Sequence, residues 1–178
     1  MNGPSRALRG SIAIAVAIVV IDQLTKQWAL SALADGPIDV IWTLRFTLVF
    51  NSGMAFSQAE GLGPIIGVLA LVIVVVLLVS LRKGSGTLGT VGVGLIVGGA
   101  LGNVIDRLFR DEGWLRGAVV DFIDFQWFPV FNVADMAINV GAACLILGVF
   151  LSSRESTDGP EAAEVHDEAA DTGDGTTP

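Results

Sequence analysis

Two aspartates in this chain are placed to do chemistry together. Asp121 lies in an apolar, strand-like run, Val119-Val120-Asp121-Phe122-Ile123, and Asp135 lies near the start of a long apolar stretch that follows. Two carboxylates about 3 Å apart cannot both ionise readily, so they share a proton. The ionised member can take a proton from water as the water attacks a carbonyl. The protonated member polarises that carbonyl and stabilises the developing oxyanion. Such a hydrolysis needs no metal, no cofactor and no Ser, Cys or His nucleophile. That suits the inventory: the single cysteine, Cys144, sits in an apolar run, and the single histidine, His166, sits in an acidic tail. Cys–His and Ser–His chemistry are thereby excluded, as are imidazole or thiolate metal clusters. Asp124 is three residues from Asp121, which on a strand puts it on the opposite face.

Other polar residues occur where a membrane would not want them. Asp22 and Lys26 interrupt the first apolar stretch, Asn103, Asp106 and Arg107 end the third, Asn132 and Asp135 begin the fourth, and Asn51 closes a strand-like run. Ionisable groups at membrane depth are costly and by default suggest function. Each also has a plainer reading. Asp22 and Lys26, four apart on a helix, can simply neutralise one another. Asn132 and Asp135 have the spacing of an N-cap and its third helical residue. Asp106-Arg107 can be an interfacial ion pair. These readings stay open on the residues alone.

The elements that must position these groups are mostly apolar helices. The chain is 52% hydrophobic with a mean hydropathy of +0.69, so lipid should be the solvent for much of it. Four apolar stretches, at about 11–33, 64–81, 88–108 and 132–151, approach the roughly 20 residues a helix needs to cross a bilayer. Backbone amides in lipid must bond internally, so helices are expected. The first stretch is not read as a cleaved secretory leader, because Asp22, Gln23, Thr25 and Lys26 break its outer half. Gly94, Gly98 and Gly102, with Gly99 on an adjacent stripe, suit close helix packing.

Two loops, 34–63 and 109–131, then share one side. The first opens with an alternating strand from Val40 to Phe50 and a turn at Asn51-Ser52-Gly53; the second holds a strand candidate at 118–123. Trp28, Trp42, Trp114 and Trp127 are candidate interfacial anchors. Lys and Arg divide five and five between the two sides. Arg6 and Arg9 beside the first helix nevertheless argue for cytoplasmic termini, with the loops and the polar cluster outside. The formal charge of -8 resides wholly beyond residue 154. Residues 1–10 are therefore expected as a cytoplasmic N-terminus, 11–151 as the membrane domain, and 152–178 as an acidic disordered tail.

At this point five blocks resemble, in order, a known family, the bacterial lipoprotein signal peptidases (type II signal peptidases). They are Asp22-Gln23-Leu24-Thr25-Lys26, Asn51-Ser52-Gly53-Met54-Ala55-Phe56, Gly98 through Arg107, Val119-Val120-Asp121-Phe122, and Phe131-Asn132-Val133-Ala134-Asp135. The resemblance implies an all-α membrane protein, a four-transmembrane-helix bundle with a small extracytoplasmic β-cradle. It implies an aspartyl endopeptidase of the bacterial inner membrane that cleaves prolipoproteins just before a diacylglyceryl-modified cysteine and is sensitive to globomycin. Asp121 and Asp135 match the catalytic pair; Asp22, Asn51, Asn103, Asp106, Arg107 and Asn132 match supporting or substrate-binding positions, and Lys26 lies in the same blocks. No metal, cofactor or nucleic acid is implied. The connection from Arg107 to Val119 looks longer than in many members.

A signal peptide is itself an apolar helix, so its cleavage point falls at the membrane surface, where the polar cluster is expected. A small transporter or proton relay is the competing reading. It fits less well, because a relay places ionisable groups near the midplane and the inner halves of these stretches are nearly free of charge. A scaffold without chemistry leaves the polar cluster unexplained.

Overall fold

The computed structural model describes residues 6–53, 63–81, 86–110 and 113–157, with side chains through residue 154 in the last segment. Met54-Ala55-Phe56, Arg82-Lys83, Asp111-Glu112 and residues 158–178 lie outside the described residues. The elements run α1 (Arg6–Ala32), β1 (Ile38–Ile41), β2 (Leu44–Asn51), α2 (Gly63–Ser80), α3 (Thr87–Phe109), β3 (Val119–Asp124) and α4 (Val133–Thr157). All four helices are long and apolar enough to cross a membrane. The shortest has 18 residues and so spans about 27 Å at 1.5 Å per residue. The helix starts and ends lie close to the apolar stretches except at two places. α1 begins at Arg6 rather than 11, and α4 continues through residues 152–157, where an unstructured tail was expected. Arg154 stacks over the Phe150 ring at 4.5 Å within that last turn.

The bundle is organised around α3. Half of its most apolar window is buried, against 17% for each of the other three spans. Glycine makes this possible. A methyl group on Gly94 or Gly98 would come within 2.9 Å of the α1 backbone oxygens of Ser11 and Ala15 respectively, and one on Gly92 within 2.8 Å of the Gly141 oxygen on α4. On Gly99 it would collide with the Ala134 carbonyl oxygen. Lipid gives no hydrophobic drive for helices to associate, so close backbone approach and van der Waals contact must supply it. Gly99→Ala is accordingly expected to destabilise the bundle by about 1–3 kcal/mol, since a backbone carbonyl cannot swing aside like a side chain. Thermal unfolding of the purified variant in detergent would show a lowered midpoint. An unchanged midpoint would mean that α4 slides freely on α3.

The small sheet sits at the end of the bundle where α1 finishes and α4 begins. Its order is β1-β2-β3 with both pairs antiparallel. The stretch read from sequence as one strand, Val40 to Phe50, is instead a hairpin broken at Trp42-Thr43, with Ile41 opposite Leu44. Two-residue hairpin turns favour Asn and Gly because they need positive φ. Here Trp42 takes φ 50°, and neither turn residue signals a reversal. Trp42 is 98% exposed, and Trp114 and Trp127 are also exposed. Trp28, also exposed at 42%, has ring partners as well: it meets Phe46 and Phe122 edge-on at 5.3 and 6.0 Å. It ties α1 to the sheet.

Candidate active site

β3 is the buried strand of the sheet, and its two edges recruit the rest of the site. On one edge Asp121 stands opposite Val49, and Asn51 lies two residues further along β2. The pleat therefore puts Asn51 on the face of Asp121, and its Nδ2 donates to Asp121 Oδ2 at 3.0 Å. The Asn51 Oδ1 in turn accepts from the Gly53 amide at 3.0 Å, an Asx turn that fixes the flip of the side chain. On the other edge Phe131 bridges Ile123, which delivers the next residue, Asn132, to the strand. Asn132 Nδ2 donates to Asp121 Oδ1 at 2.6 Å.

Asn132 also starts α4. Its Oδ1 accepts from the Asp135 amide at 3.0 Å, and Asp135 Oδ2 accepts from the Asn132 amide at 3.2 Å. That is a reciprocal capping box. The capping reading of the sequence is therefore right, yet it consumes only part of each group. The Asn132 amide nitrogen remains for Asp121, and Asp135 Oδ1 accepts from Asn103 Nδ2 at 2.9 Å. One asparagine thus joins the two carboxylates. Both border a single cavity of about 350 Å3 that Asn51, Asn103 and Arg107 also line and whose remaining walls are apolar, from Ile66, Ala70 and Ile73 on α2 to Ile96 on α3 and Ile138 on α4.

Beneath this pair lies a second, fully buried network. Lys26 Nζ meets Asp22 Oδ2 at 2.8 Å and Asp106 Oδ2 at 2.9 Å, all three side chains having no exposed surface. Its third proton goes to Asn103 Oδ1 at 2.9 Å. Asp22 Oδ1 accepts from the Ala134 amide at the start of α4, and Asp106 Oδ2 from the Val120 amide of β3. Asp22 and Lys26 do neutralise each other, as the helical spacing allowed, but their larger role is to fasten α1, α3, α4 and β3 together. Because Lys26 holds the Asn103 oxygen, the Asn103 nitrogen must face Asp135.

Asp106-Arg107 is not the ion pair that adjacency suggested. Successive helical residues point about 100° apart, and Asp106 instead takes Lys26 and Arg110, the latter at 2.6 Å. Arg107 is turned to the cavity. It is buried at 6% exposure, and its Nη1 has no hydrogen-bond partner among the described residues. A buried guanidinium nitrogen in that state is a donor waiting for an acceptor. Asp124 faces away from the cavity side, bound by Arg45 Nε at 2.6 Å. That hydrogen bond holds its carboxyl below the ordinary value of 3.8.

All nine candidate residues therefore gather at one end of the bundle. Sequence reasoning missed Gln23 and Arg110 as members. Gln23 Nε2 touches Asp22 Oδ2, the Gly102 oxygen and Asp106 Oδ1 at 3.1 to 3.2 Å. The i, i+4 spacing of Asp106 and Arg110 was a usable signal; nothing comparable marks Gln23 beyond its neighbours. Asp121 itself titrates unusually. Burial pushes its pKa up to about 6, aided by the charge of Asp135 and opposed by the amides of Asn51 and Asn132.

Comparison with known proteins shows the family and the fold. The family model for signal peptidase (SPase) II matches residues 14–151. A lipoprotein signal peptidase of Mycobacterium bovis (strain BCG / Pasteur 1173P2) is 42% identical over 146 residues, covering 81% of this chain and 72% of the relative. One from Bifidobacterium adolescentis is 39% identical over 184 residues and covers 98% of each chain. Two solved bacterial membrane enzyme structures superpose with TM-scores of 0.72 and 0.67 at 30% and 32% identity. They cover 84% and 78% of this chain and 92% and 91% of theirs.

Proposed function

The chain belongs to the signal peptidase II family, a multi-pass bacterial membrane aspartic peptidase that removes signal peptides from prolipoproteins, and from that premise we propose that Asp121 and Asp135 are its catalytic pair. The observation that carries this is their joint presentation. Two carboxylates, bridged by Asn132 and each steadied by a second asparagine, border one cavity. The pair holds one proton between them. Its ionised member deprotonates a water as the water oxygen bonds to the scissile carbonyl carbon, and its protonated member donates to the carbonyl oxygen. Collapse of the tetrahedral intermediate breaks the carbon–nitrogen bond. The amine leaves with a proton from the carboxyl that had taken one from water. The other carboxylate takes back the hydroxyl proton as the carbonyl re-forms, so the pair again holds one proton. The Nη1 of Arg107, without an acceptor among the described residues, is placed to bind a substrate carbonyl, and Asn51, Asn103 and Asn132 orient the carboxylates. Asp22, Lys26 and Asp106 hold the helices that carry them.

In this reading the substrate bears a diacylglyceryl cysteine and is cut just before it, the apolar walls of the cavity receiving the lipid and the end of the signal helix. Both termini face the cytoplasm and the site lies near the outer leaflet. The direct test is to incubate the purified protein with a lipidated precursor peptide, the unlipidated peptide, and the lipidated peptide plus globomycin. Cleavage of the first alone supports the full reading. Equal cleavage of the unlipidated peptide would remove the diacylglyceryl requirement, and a transporter would cleave none.

The pKa of Asp121 sets a pH dependence. A dyad that must keep one proton loses activity when that proton leaves. With Asp121 near 6, kcat/KM is expected to fall as pH rises through about 6. The stability contribution has the same sign. A folded-state value raised above 3.8 favours folding fully below pH 3.8, and that contribution is lost as pH climbs through about 6. A kcat/KM profile still climbing at pH 7 would contradict the shared-proton assignment.

A further inference from the structure

The connection from α3 to β3 holds one residue in an unusual state. Leu115 has no exposed surface and takes φ 57°, a left-handed backbone that a branched, bulky side chain rarely adopts unless its surroundings dictate it. The surroundings are specific. Gly117 donates its amide to the Arg107 oxygen at 3.0 Å, and a methyl group there would lie 2.5 Å from the Asp106 oxygen. The loop is thereby clamped to the end of α3 that carries the site. From this clamp the Leu115 side chain reaches α2. A methyl on Gly67 would stand 2.9 and 3.1 Å from its two terminal carbons, and the Leu115 carbonyl lies against Gly63. Gly67 also borders the cavity of Asp121 and Asp135, whereas Leu115 does not. Among the helices α2 packs mainly on α3, so this contact is a principal control on where its outer end stands.

We propose that Leu115 is a specificity-determining residue, a spacer between the α3 frame and Gly67 that sets the room beside the dyad for the side chain preceding the scissile bond. It rests on the peptidase reading above. Shortening the spacer lets α2 settle toward α3 and narrows the cavity; adding volume at Gly67 holds α2 out again. The residue acts through α2 and touches no reacting atom.

The experiment compares kcat/KM for two lipidated peptides, identical except for Ala or Val before the cysteine, because this ratio is insensitive to the fraction of enzyme folded. Leu115→Ala should shift the ratio toward the Ala peptide by about fivefold or more, the scale at which pockets discriminate a small change in side-chain size. Leu115→Met should leave it unchanged, and Gly67→Ala combined with Leu115→Ala should bring it back toward the parent value. A ratio within about twofold of the parent in Leu115→Ala, or a shift toward Val, overturns the proposal. If the dyad itself were misassigned, Asp121→Asn would still cleave both peptides. That result is separate from an unchanged ratio in an enzyme that needs both aspartates.

Discussion

Asp121→Asn and Asp135→Asn are each expected to lower kcat/KM at least about a thousandfold, with the membrane fold retained. The substitution keeps the shape and removes the ability to share and transfer a proton. It also has a predictable structural effect. Each carboxylate accepts hydrogen bonds on both oxygens, from Asn51 and Asn132 at position 121 and from Asn103 and the Asn132 amide at position 135. An amide can accept on only one of its two ends, so one bond is lost at a cost of about 1–3 kcal/mol. Unfolding midpoints measured beside turnover separate that modest loss from the catalytic one. Asp124→Asn is the matched control. It sits in the same strand on the other face, engaged with Arg45, and should keep turnover within a few-fold of the parent (about 1 kcal/mol or less in barrier). Near-normal cleavage by either dyad variant would exclude that residue from the pair.

The second large effect is structural. Lys26→Met should destabilise the protein by about 3–5 kcal/mol, the range found when one partner of a buried charge pair is removed. Lys26 has two buried carboxylates against it. Its loss leaves Asp22 without a cation among the described ion pairs, while Asp106 keeps Arg110. Activity should fall along with stability, because Asn103 loses the contact that orients its amide toward Asp135. Adding Asp22→Asn to Lys26→Met should restore part of the lost stability, since it removes the stranded charge. A double variant as unstable as the summed single effects would show that Lys26 and Asp22 are energetically independent, and the network would then have to be redrawn around Asp106.

The contrast between these two predictions explains the asymmetry of the site. The dyad lies at an open cavity, where a charge can be used. The lysine and its two aspartates are sealed between helices, where a charge can only be balanced. The outward face of the network borders the cavity, and the inward face secures the four elements. Asn103 is the link, one end of its amide on each.

Much of this was legible without coordinates because lipid imposes severe rules. Four apolar runs had to be helices, since no other element satisfies its own backbone within one segment. Any polar residue within those runs had to be turned inward or to the surface. The odd spacing of Asp121 and Asp124 separated their faces before the sheet was known, and the capping spacing of Asn132 and Asp135 was correct as far as it went. The hairpin at Trp42 was not legible, because alternation persists through a two-residue turn that lacks turn residues. The partner of Asp106 was not legible either. Adjacent residues on a helix diverge, and nothing local distinguishes Arg107 from Lys26 eighty residues away as its counter-ion.

What the sequence alone determined is therefore the solvent, the spans, and the set of polar side chains that lipid would not tolerate without a purpose. The tertiary structure decided who meets whom: Lys26 with Asp106, Asn132 with Asp121, the Arg107 Nη1 with no acceptor among the described residues, and Leu115 with Gly67. The physical reason is range. Hydropathy and periodicity act within a segment and are written in its own residues. A hydrogen bond across helices depends on crossing positions and backbone approach, which only the packed bundle supplies.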